Sequence, residues 1–167
     1  MATHAEPEIV ALCQQLAAKL KQRGEMLATA ESCTGGLIAG ACTDLSGSSD
    51  WFERGFVTYS NAAKVEMLGV DPALIEQHGA VSEVVARAMA FGAVRHSQAQ
   101  VGVAVTGVAG PTGGSAEKPV GTVWFGFSVD GVLTSELQRF DGDRAAVRQA
   151  TVRHALRRLL ELLAPGP

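Results

Sequence analysis

The chain has little of what would commit it to the commoner chemistries. Its 14 Lys and Arg stand against 17 Asp and Glu, a net charge of -3, so no broad basic surface is offered to nucleic acid. Cysteine is scarce. Cys13, Cys33 and Cys42 are an odd set without C-x-x-C spacing or a neighbouring histidine, which implies neither a disulfide framework nor a zinc site. A reduced, cytoplasmic setting is the simplest reading. No apolar stretch approaches the roughly 20 residues that span a bilayer, and Met1 to Pro7 lacks the basic start and apolar run of a secretory leader. A soluble protein with no membrane partner is expected. The nucleotide-binding patterns G-x-x-x-x-G-K-[ST] and G-x-G-x-x-G are absent, as are H-E-x-x-H and G-x-S-x-G. His4, His78, His96 and His154 are scattered over the terminus and the predicted helices, leaving a serine nucleophile without an obvious imidazole base.

What is present is apolar and turn-rich. With 47% hydrophobic residues, 19% charged residues and 19 glycines, the composition is that of a globular domain, and no linker, repeat or low-complexity segment divides residues 1–167. Ile9, Leu12, Cys13, Leu16 and Leu20 recur at steps of three and four, which predicts a helix from Pro7 to Arg23 closed by Gly24. A buried strand over Met26–Ala30 leads to a tight turn at Ser32, and a helix to about Asp44 starts from it. Trp51–Tyr59 reads as a strand, Asn61 or Ser60 caps a helix carrying Lys64, Asp71-Pro72 starts a short helix to His78, and Ser82 caps another to His96. Gln100–Thr106 is a buried strand. Val120–Val129 and Val132–Phe140 form a hairpin turning at Asp130-Gly131, and Asp143 caps a last helix to Leu163. Strands alternating with helices predict one three-layer α/β/α domain; the hairpin makes its sheet mixed, and a site is expected at the strand carboxyl ends.

Two glycine-rich turns fall at those ends. In the first, Ala28 to Ala39, Ser32 sits where the strand gives way to a helix, and the N–H groups of Cys33, Thr34, Gly35 and Gly36 are placed to hold a developing negative charge. Capping accounts for Ser32 or Thr34 equally well at this point. The second, Thr106 to Gly121, has five glycines from 107 to 121; either their N–H groups close on a phosphate or carboxylate, with Lys118 adding charge, or the glycines simply permit positive φ. Ser115 and Lys118 match S-x-x-K literally but lie in a loop, whereas that pair needs a helical turn. Lys64, one turn beyond Tyr59-Ser60-Asn61, is better placed to project over the sheet edge that carries Ser32. To act as base it must be neutral, which takes its pKa from about 10.4 to about 7–8, roughly 3–5 kcal/mol of desolvation or repulsion. Tyr59, the single tyrosine, can pass or position the proton; otherwise it is a core-edge ring and Lys64 a solvated helix face. Arg144 and Arg148, one turn apart, form either a charged surface or a bidentate phosphate clamp.

Together these stretches resemble the nicotinamide mononucleotide deamidase family, also called the CinA C-terminal domain family. The likeness rests on Thr29-Ala30-Glu31-Ser32-Cys33-Thr34-Gly35-Gly36, Tyr59-Ser60-Asn61-Ala62-Ala63-Lys64, Gly79-Ala80-Val81-Ser82, Thr106 to Gly114, Lys118 to Val123, and Phe140-Asp141-Gly142-Asp143-Arg144. It runs from the first helix to the last and implies the stand-alone form. It further implies an amidohydrolase that takes nicotinamide mononucleotide to nicotinic acid mononucleotide and ammonia in pyridine nucleotide salvage, with no metal and no cofactor. Ser32 is then the nucleophile, with Lys64 and Tyr59 as base and relay. The main chain of Cys33, Thr34, Gly35 and Gly36 would hold the oxyanion, and Thr106, Gly107, Gly110, Pro111, Gly113, Gly114, Lys118 and Arg144 would bind the rest of a small-molecule substrate. A homodimer is the family expectation. The alternatives are a non-catalytic nucleotide- or partner-binding module of the same fold, and an amidase for another small amide.

Overall fold

Amphipathic and apolar runs alternate along the chain, and the computed structural model, which describes residues 6–164, arranges them in three layers. Helix α1 (Pro7–Arg23) opens on proline, where a missing N–H costs nothing, and closes on Gly24 at φ 66°, whose N–H reaches back to Leu20 and Lys21. Strand β1 (Leu27–Glu31) is buried throughout. After it come α2 (Leu37–Thr43), a 3-10 turn over Ser48–Asp50, β2 (Phe52–Val57), α3 (Asn61–Leu68), α4 (Pro72–His78) and α5 (Glu83–Arg95). The chain then runs through β3 (Val101–Gly107), β4 (Thr122–Val129), β5 (Val132–Arg139) and α6 (Arg144–Leu163).

The sheet has the order β2-β1-β3-β4-β5. Strands β1, β2 and β3 are parallel, and the β4–β5 hairpin joins β3 antiparallel, the mixed sheet the pattern predicts. Period-two alternation sorts the faces. Val101, Val103 and Val105 join the core under α1, α2 and α6, whereas Ala28, Ala30 and Ala104 meet α3 and α5. The second face is lined by small residues because α5 lies almost on the backbone: a Cβ at Gly126 would stand 2.2 Å from the Ala86 carbonyl oxygen.

Ser60, Asp71 and Asp143 cap α3, α4 and α6, accepting from the N–H groups of Ala63, Ala73 and Ala146. Ser82 occupies the cap position of α5 but donates its hydroxyl to the Gly79 carbonyl at 2.8 Å instead. The β2 region is shorter than the predicted Trp51–Tyr59, so Thr58, Tyr59 and Ser60 form a connection that carries the chain over the sheet edge into α3. Among the described residues no helix is long and apolar enough to cross a membrane. His4 and most of Met1–Pro7 lie outside the described residues.

Candidate active site

Strand β1 keeps its pairing to the last residue before the turn: the Ser32 N–H donates to the Val105 carbonyl of β3 at 3.1 Å. The expected tight turn is present, and the helix starts later than expected, at Leu37. Ser32 to Gly36 forms a turn in which the Gly35 N–H donates to the Ser32 carbonyl at 3.0 Å, with Gly35 at φ 58° and Gly36 at φ 104°. Positive φ at two successive residues is the reason for two successive glycines. The capping reading of Ser32 and Thr34 is therefore corrected, since Gly36 holds the cap position of α2 and offers no side chain. Glu31 does the capping instead. Its carboxylate, on a residue only 1% exposed, accepts from the Ile38 N–H at 2.8 Å, the Ala39 N–H at 3.0 Å and the Thr34 hydroxyl at 2.6 Å. An anion at a helix start is the favoured electrostatic arrangement. The N–H groups of Cys33, Thr34 and Gly36 find no partner among the described residues.

Lys64 is the side chain that meets Ser32. Although 1% exposed, it sends Nζ to within 3.1 Å of Ser32 Oγ and donates to the carbonyls of Thr58 at 2.8 Å and Tyr59 at 3.3 Å. Helix α3 delivers it because the Ser60 cap starts the helix at the sheet edge and Lys64 lies one turn further, on the buried side. Burial pushes its ammonium down from the ordinary lysine range, against a smaller opposing effect of Cys33. A neutral amine has two N–H bonds and one lone pair; two carbonyls take the donors, and the lone pair is left for the Ser32 hydroxyl. Cys33 itself is buried with its thiol pushed up to about 12 by desolvation, so it is no thiolate nucleophile.

The remaining predicted residues divide. Tyr59 brings its carbonyl, not its phenol, to Lys64; the residue is 62% exposed and its hydroxyl accepts from Arg144 Nη2 at 3.3 Å. Arg144 Nη1 donates to the Gly110 carbonyl at 2.9 Å, tying the second glycine turn to the start of α6. Beside it lies a pocket of about 440 Å³ whose lining includes Pro111, Val120, Gly142 and Arg144. Thr106 is buried and donates to the Ala80 carbonyl at 2.9 Å. Gly107 and Gly110 are glycine for packing, since a Cβ on either would come within 2.7 Å and 2.4 Å of the Val123 and Val120 side chains. Gly113 takes φ 91°, while a Cβ on Gly114 would crowd the Val120 N. Lys118 Nζ donates to the His78 carbonyl at 2.6 Å, so it braces α4 against the loop. Ser115 and Lys118 are joined through the Ser115 hydroxyl and the Lys118 main-chain N–H, not side chain to side chain. Among the described residues no cluster of three or more His, Cys, Asp or Glu is placed to hold a metal ion.

The family model described as "CinA C-terminal domain" matches residues 10–163. The chain belongs to that family. Within it, the chain is 57% identical over 150 residues to a nicotinamide-nucleotide amidohydrolase, PncC, of Enterobacter agglomerans, covering 89% of this chain and 92% of that protein. It is 51% identical over 157 residues to the protein of the same name from Escherichia coli strain K12, covering 92% and 94%. A solved structure of the competence/damage inducible protein CihA from Agrobacterium tumefaciens superposes with a TM-score of 0.92 at 46% identity, over 98% of this chain and all of that one. In this CinA C-terminal domain one side chain at the site, Glu31, was not singled out by its sequence context, and a second, Arg148, was read only as a charged face or phosphate clamp together with Arg144. Glu31 gave one signal, a charge closing an apolar strand just ahead of a helix. Arg148 was legible only as the neighbour of Arg144 by helical spacing; in space it turns to the Ser32 turn, where Nε donates to the Cys33 carbonyl at 3.2 Å and Nη2 to the Thr34 carbonyl at 3.1 Å.

Proposed function

We propose that this chain is an amidohydrolase that converts nicotinamide mononucleotide to nicotinic acid mononucleotide and ammonia, with Ser32 as nucleophile and Lys64 as base. The observation that carries the reading is a lysine side chain almost without solvent access, its Nζ 3.1 Å from a serine hydroxyl at the mouth of a glycine turn. The names of the relatives supply the substrate. Ser32 Oγ adds to the carboxamide carbon while its proton passes to Lys64 Nζ. The carbonyl oxygen becomes an oxyanion held by the unpartnered N–H groups of the Cys33–Gly36 turn. Collapse breaks the C–N bond, and Lys64 returns the proton so that ammonia leaves. Water then attacks the Ser32 ester with Lys64 again taking the proton, and release of the acid restores the hydroxyl.

Tyr59 belongs to the rim in this scheme: its phenol partners Arg144, and its carbonyl helps hold Lys64. Arg144, the 440 Å³ pocket at the start of α6 and the second glycine turn bind ribose and phosphate, which supplies orientation away from the reacting bond. Nucleophile and base are both side chains, so dialysis against a chelator should leave the rate unchanged; a loss restored by added metal would refute that part. The protein is a homodimer in this reading, checked by sedimentation. The deciding experiment is ammonia release from nicotinamide mononucleotide by the wild type and by Ser32→Ala. The variant should bind the nucleotide without turning it over, and its continued turnover would remove Ser32 as nucleophile. Turnover of other small amides, but not of the mononucleotide, would move the substrate elsewhere.

A further inference from the structure

Resting on that function, we infer that Arg148 is a positioning residue that aims the Thr34 N–H at the oxyanion. A trans peptide unit points its C=O and N–H in opposite directions, so whatever fixes one end directs the other. Arg148 fixes two successive units from the α6 side. Its Nη2 holds the Thr34 carbonyl, and the N–H across that unit, Gly35, is already bound to the Ser32 carbonyl. Its Nε holds the Cys33 carbonyl, and the N–H across that unit, Thr34, has no partner among the described residues. One unit is pinned at both ends; the other is pinned at one end and presents a free donor at the other.

The same turn is gripped from beneath by Glu31 through the Thr34 hydroxyl at 2.6 Å, so Thr34 is held by side chain and carbonyl while its N–H stays available. Glycine at 35 is favoured by its φ of 58°, which L side chains rarely adopt, and a Cβ there would only touch Arg148 Nη2 at 3.4 Å. Arg144 differs: it is exposed and reaches the second glycine turn and the Tyr59 hydroxyl. The two arginines one turn apart thus divide the work, Arg144 toward the substrate's far end and Arg148 toward the main chain that stabilises charge at the reacting carbon. Donors fixed before reaction need no reorganisation as charge develops, which is where such groups act most strongly.

The test compares wild type, Arg148→Ala, Arg148→Lys and Arg144→Ala in steady-state ammonia release. Arg148→Ala should lower kcat on the order of 10²-fold with KM nearly unchanged, as for loss of one oxyanion donor. Arg148→Lys keeps the charge but not the fork and should fall between; it also carries the test if the alanine variant does not fold by circular dichroism. Arg144→Ala should instead raise KM. A raised KM with unchanged kcat in Arg148→Ala, or no effect in either Arg148 variant, overturns the inference. A fluorophosphonate probe, which phosphonylates an activated serine without needing the nucleotide, separates this outcome from failure of the substrate assignment. If the wild type labels at Ser32 but releases no ammonia from the mononucleotide, the substrate reading fails and the labelling rates of the Arg148 variants decide the inference. A wild type that neither labels nor turns over overturns both.

Discussion

At the scale of single residues, the chemistry depends on how one lysine is kept from solvent. Lys64 is held by carbonyls and a hydroxyl, and among the described residues no carboxylate is a hydrogen-bond partner, so desolvation is not offset by an ion pair there and its pKa falls below the ordinary value. The free base is the active form, so kcat/KM should fall as pH drops through that lowered pKa, with the limb lying below about 10.5. A pH–rate profile checks it, and a flat profile would remove Lys64 as base. Lys64→Arg keeps the positive charge but cannot deprotonate near neutrality, so it should lose activity as fully as Lys64→Ala. The linked effect on stability has its own sign. The unfolded chain binds this proton more tightly than the folded one, so this group's contribution to stability rises with pH from the lowered folded pKa up to the unfolded value. Arg144→Ala should raise KM roughly tenfold or more through loss of a charge-assisted phosphate contact, measured against an unaltered kcat.

At the scale of elements, the site is held by contacts that local propensity does not reveal. Helix α2 has only seven residues and no side-chain cap of its own, so it depends on the Glu31 carboxylate reaching up from β1. Glu31→Ala leaves two N–H groups and the Thr34 hydroxyl without that acceptor, and should cost about 3 kcal/mol in denaturant unfolding. Helix α3, which carries Lys64, is set by α5. A Cβ at Gly92 would lie 2.1 Å from the Leu68 carbonyl oxygen, and backbone cannot give way as a side-chain tip can. Gly92→Ala should therefore destabilise by up to about 3 kcal/mol and shift α3 enough to lower kcat, which kinetics on the folded fraction would read.

At the scale of the whole molecule, α6 connects the site to the core. Its first two turns carry Arg144 and Arg148, while Val152, Ala155, Leu156, Leu159 and Leu163 lie buried against the sheet and α1. The ion pairs that also join α6 to α1, such as Arg157 with Glu8, are half exposed and contribute little in water. Leu156→Ala should cost about 2–5 kcal/mol whereas Arg157→Ala should change stability by less than about 1 kcal/mol. Chemical denaturation separates the two, and neither variant should alter KM where it is folded.

The sequence by itself determined the layers and the family. The three-four spacing of α1, the Asp130-Gly131 hairpin and the caps at Ser60, Asp71 and Asp143 are local signals, each read from a few neighbouring residues, and all were legible. So were the two glycine turns and the idea that Lys64 meets Ser32, because a helix cap just past a strand end fixes where the next turn projects. Tertiary structure decided what lies between distant segments. It drew Tyr59's phenol to Arg144, occupied Lys118 with the His78 carbonyl, delayed α2 by a turn, and brought Glu31 and Arg148 to opposite sides of the Ser32 turn. Those contacts join residues up to 115 positions apart, and no local pattern specifies which main-chain carbonyl a guanidinium will find. A period of 3.6 or 2 assigns a residue to a face; only the packed layers decide what that face meets.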